Sequence, residues 1–418
     1  YQTALIMALL PCAALGESLG HRRVYTAGVA LFVAASAMCA AAPSLGWLIA
    51  ARFLQGLGGA AVMSLGMALL RLIVPDRQLG SAIGWNALAV ALGSAAGPSL
   101  GALVLSVGSW PWLFAVNLPI GGLVLLATRA FPAPGGAGHK LDLVSVALNA
   151  GTFGTLVFGA EQMAHAPLLA LLLLTASVLA AVLLVRRELP RPAPMVPLDL
   201  LRAGSFRVSI IASVCCFAGQ SAAMICIPFL LQHELGQEPL RTGWLIAAWP
   251  MTVALVGPFA GRMANQGSEA WLSALGGALL ALGLGATALC PLHGRPWAVF
   301  PLLALCGAGF GLFQVPNNRN LFLSSPRARS GAAGGLQSTA RLTGQLLGGV
   351  LATLLFSASS AVHAARIGLG TAAALTCTAG LVSLLRAPWR ALRSGLARTP
   401  RTAALGVSRE ERSGTSRA

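Results

Sequence analysis

Apolar stretches of about twenty residues recur along the whole chain and are separated by short polar connections. An α-helix needs about 20 mostly apolar residues to cross the hydrocarbon core of a bilayer, so the pattern predicts a bundle of membrane-spanning helices. The predicted fold is all-α and polytopic. The segments cover residues 1–15, 24–43, 47–71, 80–105, 110–130, 142–160, 167–185, 206–231, 240–261, 271–290, 297–320, 332–357 and 364–387.

Composition supports this prediction. Charged residues make up only 9% of the chain, whereas a soluble domain carries about 25%. That difference argues against a water-soluble enzyme. A net charge of +17 would suit a nucleic-acid-binding protein, but the arginines lie between apolar segments and in the tail, so no nucleic-acid partner is expected.

The distribution of basic residues predicts an orientation. Short loops rich in Lys and Arg stay on the cytoplasmic side, and placing the loop 16–23 there puts most of the 28 Lys and Arg residues inside. The chain is therefore expected to be a multi-pass protein of the cell membrane with a cytoplasmic C-terminus. Tyr1 then falls at the outer face, and the expectation is that a first helix, absent from this sequence, would bring the count from thirteen to fourteen.

Breaks in the apolar pattern predict the domain organisation. Four prolines in residues 186–205 mark a linker between two halves, and the polar, Arg-rich end of the chain is expected to be disordered. The predicted parts are an N-terminal bundle (1–130), two additional helices (142–185), the cytoplasmic linker (186–205), a C-terminal bundle (206–387) and the tail (388–418). A weak repeat, Ala13–Gly20 against Gly261–Gly267, supports two related halves, as in secondary transporters with a midplane substrate site.

Arg52 lies inside an apolar segment and is followed by Gln55 and Gly56. A guanidinium within a membrane is costly and is usually functional, so we expect it to face the interior with a partner. The alternative is that Arg52 extends to the outer face.

Gly93, Gly97 and Gly101 share one helix face, with Pro98 between them. Small residues at this spacing let a neighbouring helix approach closely, and proline permits a kink. A hinge and static close packing both fit this pattern.

Polar side chains in the second half are candidates for the lining of a cavity. Asn317 and Asn318 follow a proline, and Gln337, Arg341 and Gln345 recur at four-residue spacing on one helix face. A polar seam that joins two helices is an equally good interpretation. Trp112 and Asn117 are further candidates in the first half, although interfacial anchoring is the usual role of such tryptophans.

Several kinds of chemistry have no signature here. None of the eleven acids lies deep in a predicted segment, although a proton-coupled transporter usually needs a titratable intramembrane group. The sequence GxxxxGK[ST], which would indicate a built-in ATPase, does not occur, and no metal-ligand pattern occurs. No cofactor is expected other than a proton gradient.

Taken together, these residues resemble the major facilitator superfamily, and in particular its fourteen-helix drug:proton antiporters. Three motifs carry the resemblance: an inner-loop gate at Gly16, Glu17, Gly20, Arg22 and Arg23; a proton-transfer motif at Arg52, Gln55, Gly56 and Gly59; and an antiporter motif at Gly93, Gly97, Pro98 and Gly101. The stretch from Trp110 to Gly121 resembles a signature of the same branch.

The resemblance implies two six-helix bundles with two extra helices between them, working by alternating access. It implies a protein in the lipid bilayer that exports lipophilic, often cationic, small molecules as protons move inward and compete for one charge, with Arg52 tuning that titration. A monomer is expected. Two alternatives remain: an exporter of an endogenous metabolite, antibiotic or peptide, and a transport-inactive membrane receptor or interaction protein.

Overall fold

The computed structural model describes residues 1–386 except 133–134, 137, 139–140, 164, 192–193, 267–268 and 290–295, and it does not describe the side chains of residues 98–99. The predicted tail 388–418 lies outside the described residues. Within them every regular element is a helix, and thirteen helices are long and apolar enough to span a membrane, as predicted. They are α1 Gln2–Leu19, α2 His21–Ala40, α3 Leu45–Ile73, α4 Leu79–Val107, α5 Trp112–Ala130, α6 Leu143–Gln162, α7 Pro167–Glu188, α8 Gly204–Phe229, α9 Pro239–Asn265, α10 Glu269–Leu289, α11 Val299–Leu323, α12 Ser330–Ala358 and α13 Ala361–Leu384.

The first connection is much shorter than predicted. The sequence predicts a loop over residues 16–23, but α1 continues to Leu19 and α2 begins at His21. Only Gly20 separates them, with a φ of 101°, a conformation that glycine adopts without the steric cost of a side chain. The predicted loop is therefore wrong, and Glu17 is held on a helix.

The helices pack in two main sets with a pair at the side. α1, α2 and α3 contact one another, and α5 lies against α2. The hairpin of α6 and α7 contacts this set through α1, while α8 to α13 form the second set. The division of the chain into functional domains stays a prediction.

A narrow seam joins α4 to α9 across the two halves. A Cβ atom built on Gly84 would lie 2.5 Å from the Gly257 carbonyl oxygen, and one on Gly261 would lie 2.4 Å from the Gly80 carbonyl oxygen. Real Cβ atoms do not approach so closely, so these four glycines let two helix backbones touch. This is the small-residue packing typical of membrane helices.

The predicted glycine face lies further along α4 and does not pack in this way. A Cβ atom on Gly93 or Gly97 would meet no described atom within 4 Å, and one on Gly101 would only reach Leu113 at 3.9 Å. Close packing of this face against a neighbouring described helix is therefore not observed. The role of this segment as a hinge stays a prediction.

Replacing a seam glycine tests this packing. We expect Gly84→Leu to destabilise the protein by about 1–3 kcal/mol, as overpacking does in closely packed interiors. Heating the purified protein with a thiol-reactive dye reports unfolding, because Cys216, Cys226 and Cys306 are buried.

The matched control is Gly370→Leu in α13, where a Cβ atom meets no described atom within 4 Å. Equal unfolding midpoints for the two variants would contradict the close seam.

Candidate functional site

An acid from one half holds the start of a helix from the other half. The Glu17 carboxylate on α1 accepts a hydrogen bond of 2.8 Å from the backbone N–H of Ala332, in the first turn of α12. It also pairs with Arg329 at 2.5 Å, just before that helix. A carboxylate at a helix N-terminus is favoured by the free N–H groups and the helix dipole. This contact defines the latch end of the bundle.

Arg329 ties the connection between the halves to the same latch. Its guanidinium pairs with Asp199 at 3.0 Å and donates to the carbonyl oxygen of Pro194 at 3.0 Å. Both residues belong to the predicted linker 186–205. One arginine therefore joins α1, the linker and the start of α12, and its side chain is only 16% exposed.

A second contact, of the same kind, lies across the bundle. The Asn265 side-chain oxygen at the end of α9 accepts a hydrogen bond of 2.9 Å from the backbone N–H of Gly80, at the start of α4. Its amide nitrogen donates to Ser81 at 2.8 Å, and Arg319 donates to the same oxygen at 3.2 Å. Arg319 also forms a buried ion pair with Glu269. A side chain of each half thus accepts a hydrogen bond from the first turn of a helix in the other half.

The gate residues predicted from the sequence have different roles within this latch. A Cβ atom on Gly16 would lie 2.5 Å from Leu65, so Gly16 lets α3 approach α1, and Gly20 makes the turn. Arg22 donates to the carbonyl oxygen of Phe131 at 3.0 Å, and Arg23 is exposed. Neither arginine pairs with Glu17, so the basic partner of the latch is not part of the motif.

A cluster of charged groups fastens the α6–α7 hairpin to the linker. Asp142 pairs with Arg187 at 2.7 Å and with Arg191 at 2.6 Å. Hydrogen bonds from Arg187 and Ser145 hold the pKa of the Asp142 carboxyl well below its usual value. Glu188 is fully buried and accepts from Arg191 at 2.9 Å and from the backbone of Met195 at 2.5 Å. The hairpin is thereby connected, through the linker, to Arg329.

A cavity of about 480 Å³ lies between the two sets of helices. Residues from α3, α4, α8, α9, α11 and α12 line it, so both halves contribute to one wall. An aromatic face runs along it, with the Phe217 and Phe310 rings 5.7 Å apart and the Phe310 and Trp249 rings 6.4 Å apart. The volume and the mixture of aromatic and polar groups are typical of small-molecule sites.

The predicted lining residues divide into two groups. Asn318, Gln337 and Arg341 lie on the wall, and Gln337 donates to Asn318 at 3.3 Å. The others are not among the described residues that line the cavity, and for them the expectation is wrong: Trp112, Asn117, Asn317 and Gln345.

These four residues lie in other environments. Trp112 is 60% exposed on the outside of α5, as an interfacial tryptophan would be. Asn117 is half-buried on the same helix. Asn317 is buried between helices, where it donates to Ser213 at 2.7 Å and accepts from Arg386. Its alternative interpretation, a polar seam, is the one that the contacts support.

Gln345 packs in the same helix-to-helix manner. Its backbone carbonyl oxygen accepts a hydrogen bond of 2.9 Å from Ser221 of α8. Four-residue spacing placed it on the face of Gln337 and Arg341, but it lies further along α12, beyond the cavity.

The proton-transfer motif forms a compact polar group in the first half. Arg52 donates to Gln55 at 2.5 Å, and Gln55 donates to Ser36 at 2.8 Å. The guanidinium also lies 4.5 Å from the centre of the Tyr1 ring. Arg52 therefore faces protein groups, not the surrounding lipid, and its predicted role in proton transfer stays a prediction.

The two glycines of that motif, Gly56 and Gly59, pack against Tyr1. A Cβ atom would lie 2.5 Å from the Tyr1 carbonyl oxygen at Gly56 and 3.0 Å from the Tyr1 hydroxyl at Gly59. Substitution at either position would push Tyr1 away from α3.

Several residues of the site belong to no motif that would identify them from the sequence. Arg329 and Asp199 lie in short connections whose positions depend on the fold. Phe217, Trp249 and Phe310 are indistinguishable in sequence from lipid-facing aromatics. The repeat of Ala13–Gly20 in Gly261–Gly267 was a usable signal for Asn265.

The arrangement of the helices defines a class of protein. Two sets of membrane-spanning helices enclose a cavity, and named contacts between the sets gather at one end. This arrangement is typical of secondary transporters.

The comparisons with known proteins agree. A model of the Major Facilitator Superfamily matches residues 1–349 and again 209–404, so the chain belongs to that family. It is a transporter and a multi-pass membrane protein, and not an enzyme.

Three similar proteins illustrate the range of the family. The chain is 41% identical over 391 residues to "Uncharacterized transporter YebQ" of Escherichia coli (strain K12), covering 92% of this chain and 85% of that protein. It is 30% identical over 357 residues to "Multidrug resistance protein Stp" of Mycobacterium tuberculosis, covering 83% and 66%. The crystal structure of the human organic anion transporter MFSD10 (TETRAN) superposes with a TM-score of 0.68 at 18% identity, covering 91% and 81%. At that identity it shows the fold alone.

The latch can be tested by removing its carboxylate. We expect Glu17→Gln to open the latch end, because Arg329 and the Ala332 N–H lose a charged acceptor. Hydrogen bonds to charged groups contribute about 1.5–3 kcal/mol, so alkylation of a Ser338→Cys reporter by a polar maleimide should rise roughly tenfold. The native cysteines are replaced in this background.

Two further variants make the latch experiment decisive. Glu161→Gln removes an exposed acid and should leave the alkylation rate unchanged. Glu17→Asp keeps the carboxylate and should raise the rate less than Glu17→Gln does. An unchanged rate in Glu17→Gln would contradict the latch.

Proposed function

We propose that this protein exports lipophilic, drug-like small molecules across the cell membrane by alternating access, driven by inward proton movement. The observation that carries the proposal is the cavity of about 480 Å³ between the two sets of helices, with the contacts between the sets at one end. Export of drugs is supported by the similarity to a multidrug resistance protein.

Alternating access requires contacts that can open without unfolding either half. The halves meet through the polar contacts at Glu17 and Asn265, through the glycine seam, and through an apolar cluster in which Leu79 and Ile83 of α4 pack with Phe206 and Phe322 of the second half. The polar contacts exchange readily with water, and the seam glycines themselves add no side chains that would have to disengage. These two features support a rocking motion about the cavity.

Proton coupling is proposed to act through a carboxylate at the latch. Glu17 is a titratable group whose side chain is 13% exposed and which contacts both Arg329 and the start of α12. Protonation would remove the charge that attracts Arg329 and so weaken the latch. A proton entering at Glu17 would favour the state that is open at the latch end.

The orientation and assembly are also proposals. The concentration of Arg residues in the described connections at the latch end supports a cytoplasmic position for that end, and hence for the C-terminus. Because one chain supplies walls from both halves, a monomer is sufficient to form the cavity. The predicted cationic character of the substrates has no matching carboxylate among the described residues of the wall.

The test is transport by the purified protein in liposomes. A panel of lipophilic cations, neutral compounds and anions is added under an imposed pH gradient, and substrate-dependent proton flux is followed with an internal pH dye. We expect flux with at least one class of compound, and its loss when a protonophore collapses the gradient.

A matched pair of variants separates cavity transport from leakage. Ala91→Trp fills the cavity and should abolish flux, because Ala91 is buried on its wall. Ala102→Trp lies on the exposed face of the same helix and should retain it. Substrate movement that persists without a gradient would refute proton coupling, and no movement of any compound would favour the transport-inactive alternative.

A further inference from the structure

The wall of the cavity carries one charged side chain. Among the described residues that line it, Arg341 is the only ionisable one, and no Asp or Glu of the described chain is present there. Arg341 lies about three turns into α12, so its guanidinium is well inside the spanning region. The described wall is therefore electropositive.

Arg341 is half-buried and differs from the buried arginines in having no polar partner. Arg71 donates to Ser325 at 2.9 Å and to Ser330 at 3.1 Å. Arg319 pairs with Glu269, and Arg386 donates to Asn317.

Arg341 makes no hydrogen bond or ion pair with the described residues, and its Nε atom is buried without a partner. Its nearest recorded contact is the Phe217 ring, 5.5 Å from the guanidinium carbon. An aromatic face attracts the cation but leaves its N–H groups free, because a ring does not replace a planar acceptor pair.

A guanidinium within a membrane is costly unless it is paired or hydrated. Arg341 lines the cavity and makes no hydrogen bond with the described residues. Its free N–H groups therefore point to a ligand with acceptor atoms, not to a static packing contact.

We propose that the cavity binds amphipathic organic anions: an aromatic body with a carboxylate that pairs with Arg341. This deepens the proposed function, because the ligand would be the transported substrate of the same cavity. The guanidinium presents parallel N–H groups that match the two oxygens of a carboxylate. The same positive charge disfavours cations, whose repulsion is strong where water is scarce.

The rest of the wall suits the body of such a ligand. Phe217, Phe310 and Trp249 form the aromatic face next to Arg341, and aromatic rings favour edge-to-face or offset contacts with another ring. Met63, Met67 and Met224 also line the cavity. Flexible thioether side chains adapt to different apolar shapes, so the site is expected to select for charge more strongly than for shape.

The experiment compares three probes that share one ring system and differ in charge: 2-naphthoate, 2-naphthamide and 2-naphthylmethylammonium. Binding to the full chain in nanodiscs is measured by equilibrium dialysis, and empty nanodiscs correct for partition into lipid. We expect the carboxylate to bind most tightly and the ammonium least tightly. Equal or tighter binding of the ammonium would overturn the proposal.

Variants assign the preference to Arg341. Arg341→Gln should weaken naphthoate binding by at least about thirtyfold, as expected when one member of a buried charge pair is removed, and leave naphthamide binding unchanged. Arg341→Lys should restore part of the preference. The control is Arg241→Gln, which neutralises an exposed arginine of α9 and should have no effect.

Retained naphthamide binding shows that Arg341→Gln keeps the cavity intact. If this variant fails to fold, the order of the three probes in Arg341→Lys and in the unmodified chain decides the question. Undiminished naphthoate binding in Arg341→Gln would refute the anion site, whatever the transport result. Charge-selective binding without flux in liposomes would instead refute transport and leave the anion site in place.

Discussion

The arrangement of the two halves depends on one kind of interaction: a side-chain oxygen of one half accepts a hydrogen bond from a backbone N–H in the first turn of a helix of the other half. The backbone N–H groups at the beginning of an α-helix have no partner within the helix, and within a membrane protein unsatisfied groups are costly. Glu17 satisfies one at the start of α12, and Asn265 satisfies one at the start of α4. Each half thus completes the hydrogen bonding of the other, and the close glycine seam of α4 and α9 depends on the resulting position of α4.

The two contacts differ in charge, because Glu17 is a carboxylate and Asn265 is a neutral amide. The two sides of the latch therefore differ in their response to protonation. Glu17 carries a charge that Arg329 neutralises, and Arg329 also forms an ion pair with Asp199 of the linker. Asn265 is neutral, so Arg319 takes Glu269 as its counter-ion within the second half. At the Glu17 side the carboxylate itself contacts the helix start, whereas at the Asn265 side the carboxylate of Glu269 acts one step away, through Arg319. A change there also reaches the α6–α7 hairpin, because the linker is held by Glu188 and Arg191.

The sequence predicts the helices well because their signal is local. Thirteen apolar segments are long enough to cross a bilayer. The site is less predictable because it depends on which helices meet. Helical periodicity puts Gln337, Arg341 and Gln345 on one face, but only the position of α8 and α11 decides that the first two reach the cavity. Gly80 and Gly93 are equivalent in sequence, yet only Gly80 lies opposite another backbone.

The positions of the charges bear on how substrate and protons would be coupled. The resemblance to drug:proton antiporters implies competition for a single charge. In this structure the titratable Glu17 contacts the start of α12, whereas Arg341 lies further along the same helix, on the cavity wall. A guanidinium stays charged throughout the physiological pH range, so it would hold an anion without releasing a proton. Under the proposed function, substrate and proton therefore act at two different places on one helix: the proton weakens the hold on the start of α12, and the substrate binds about three turns further along it. Coupling would then arise from the movement of α12 and not from exchange at a shared carboxylate.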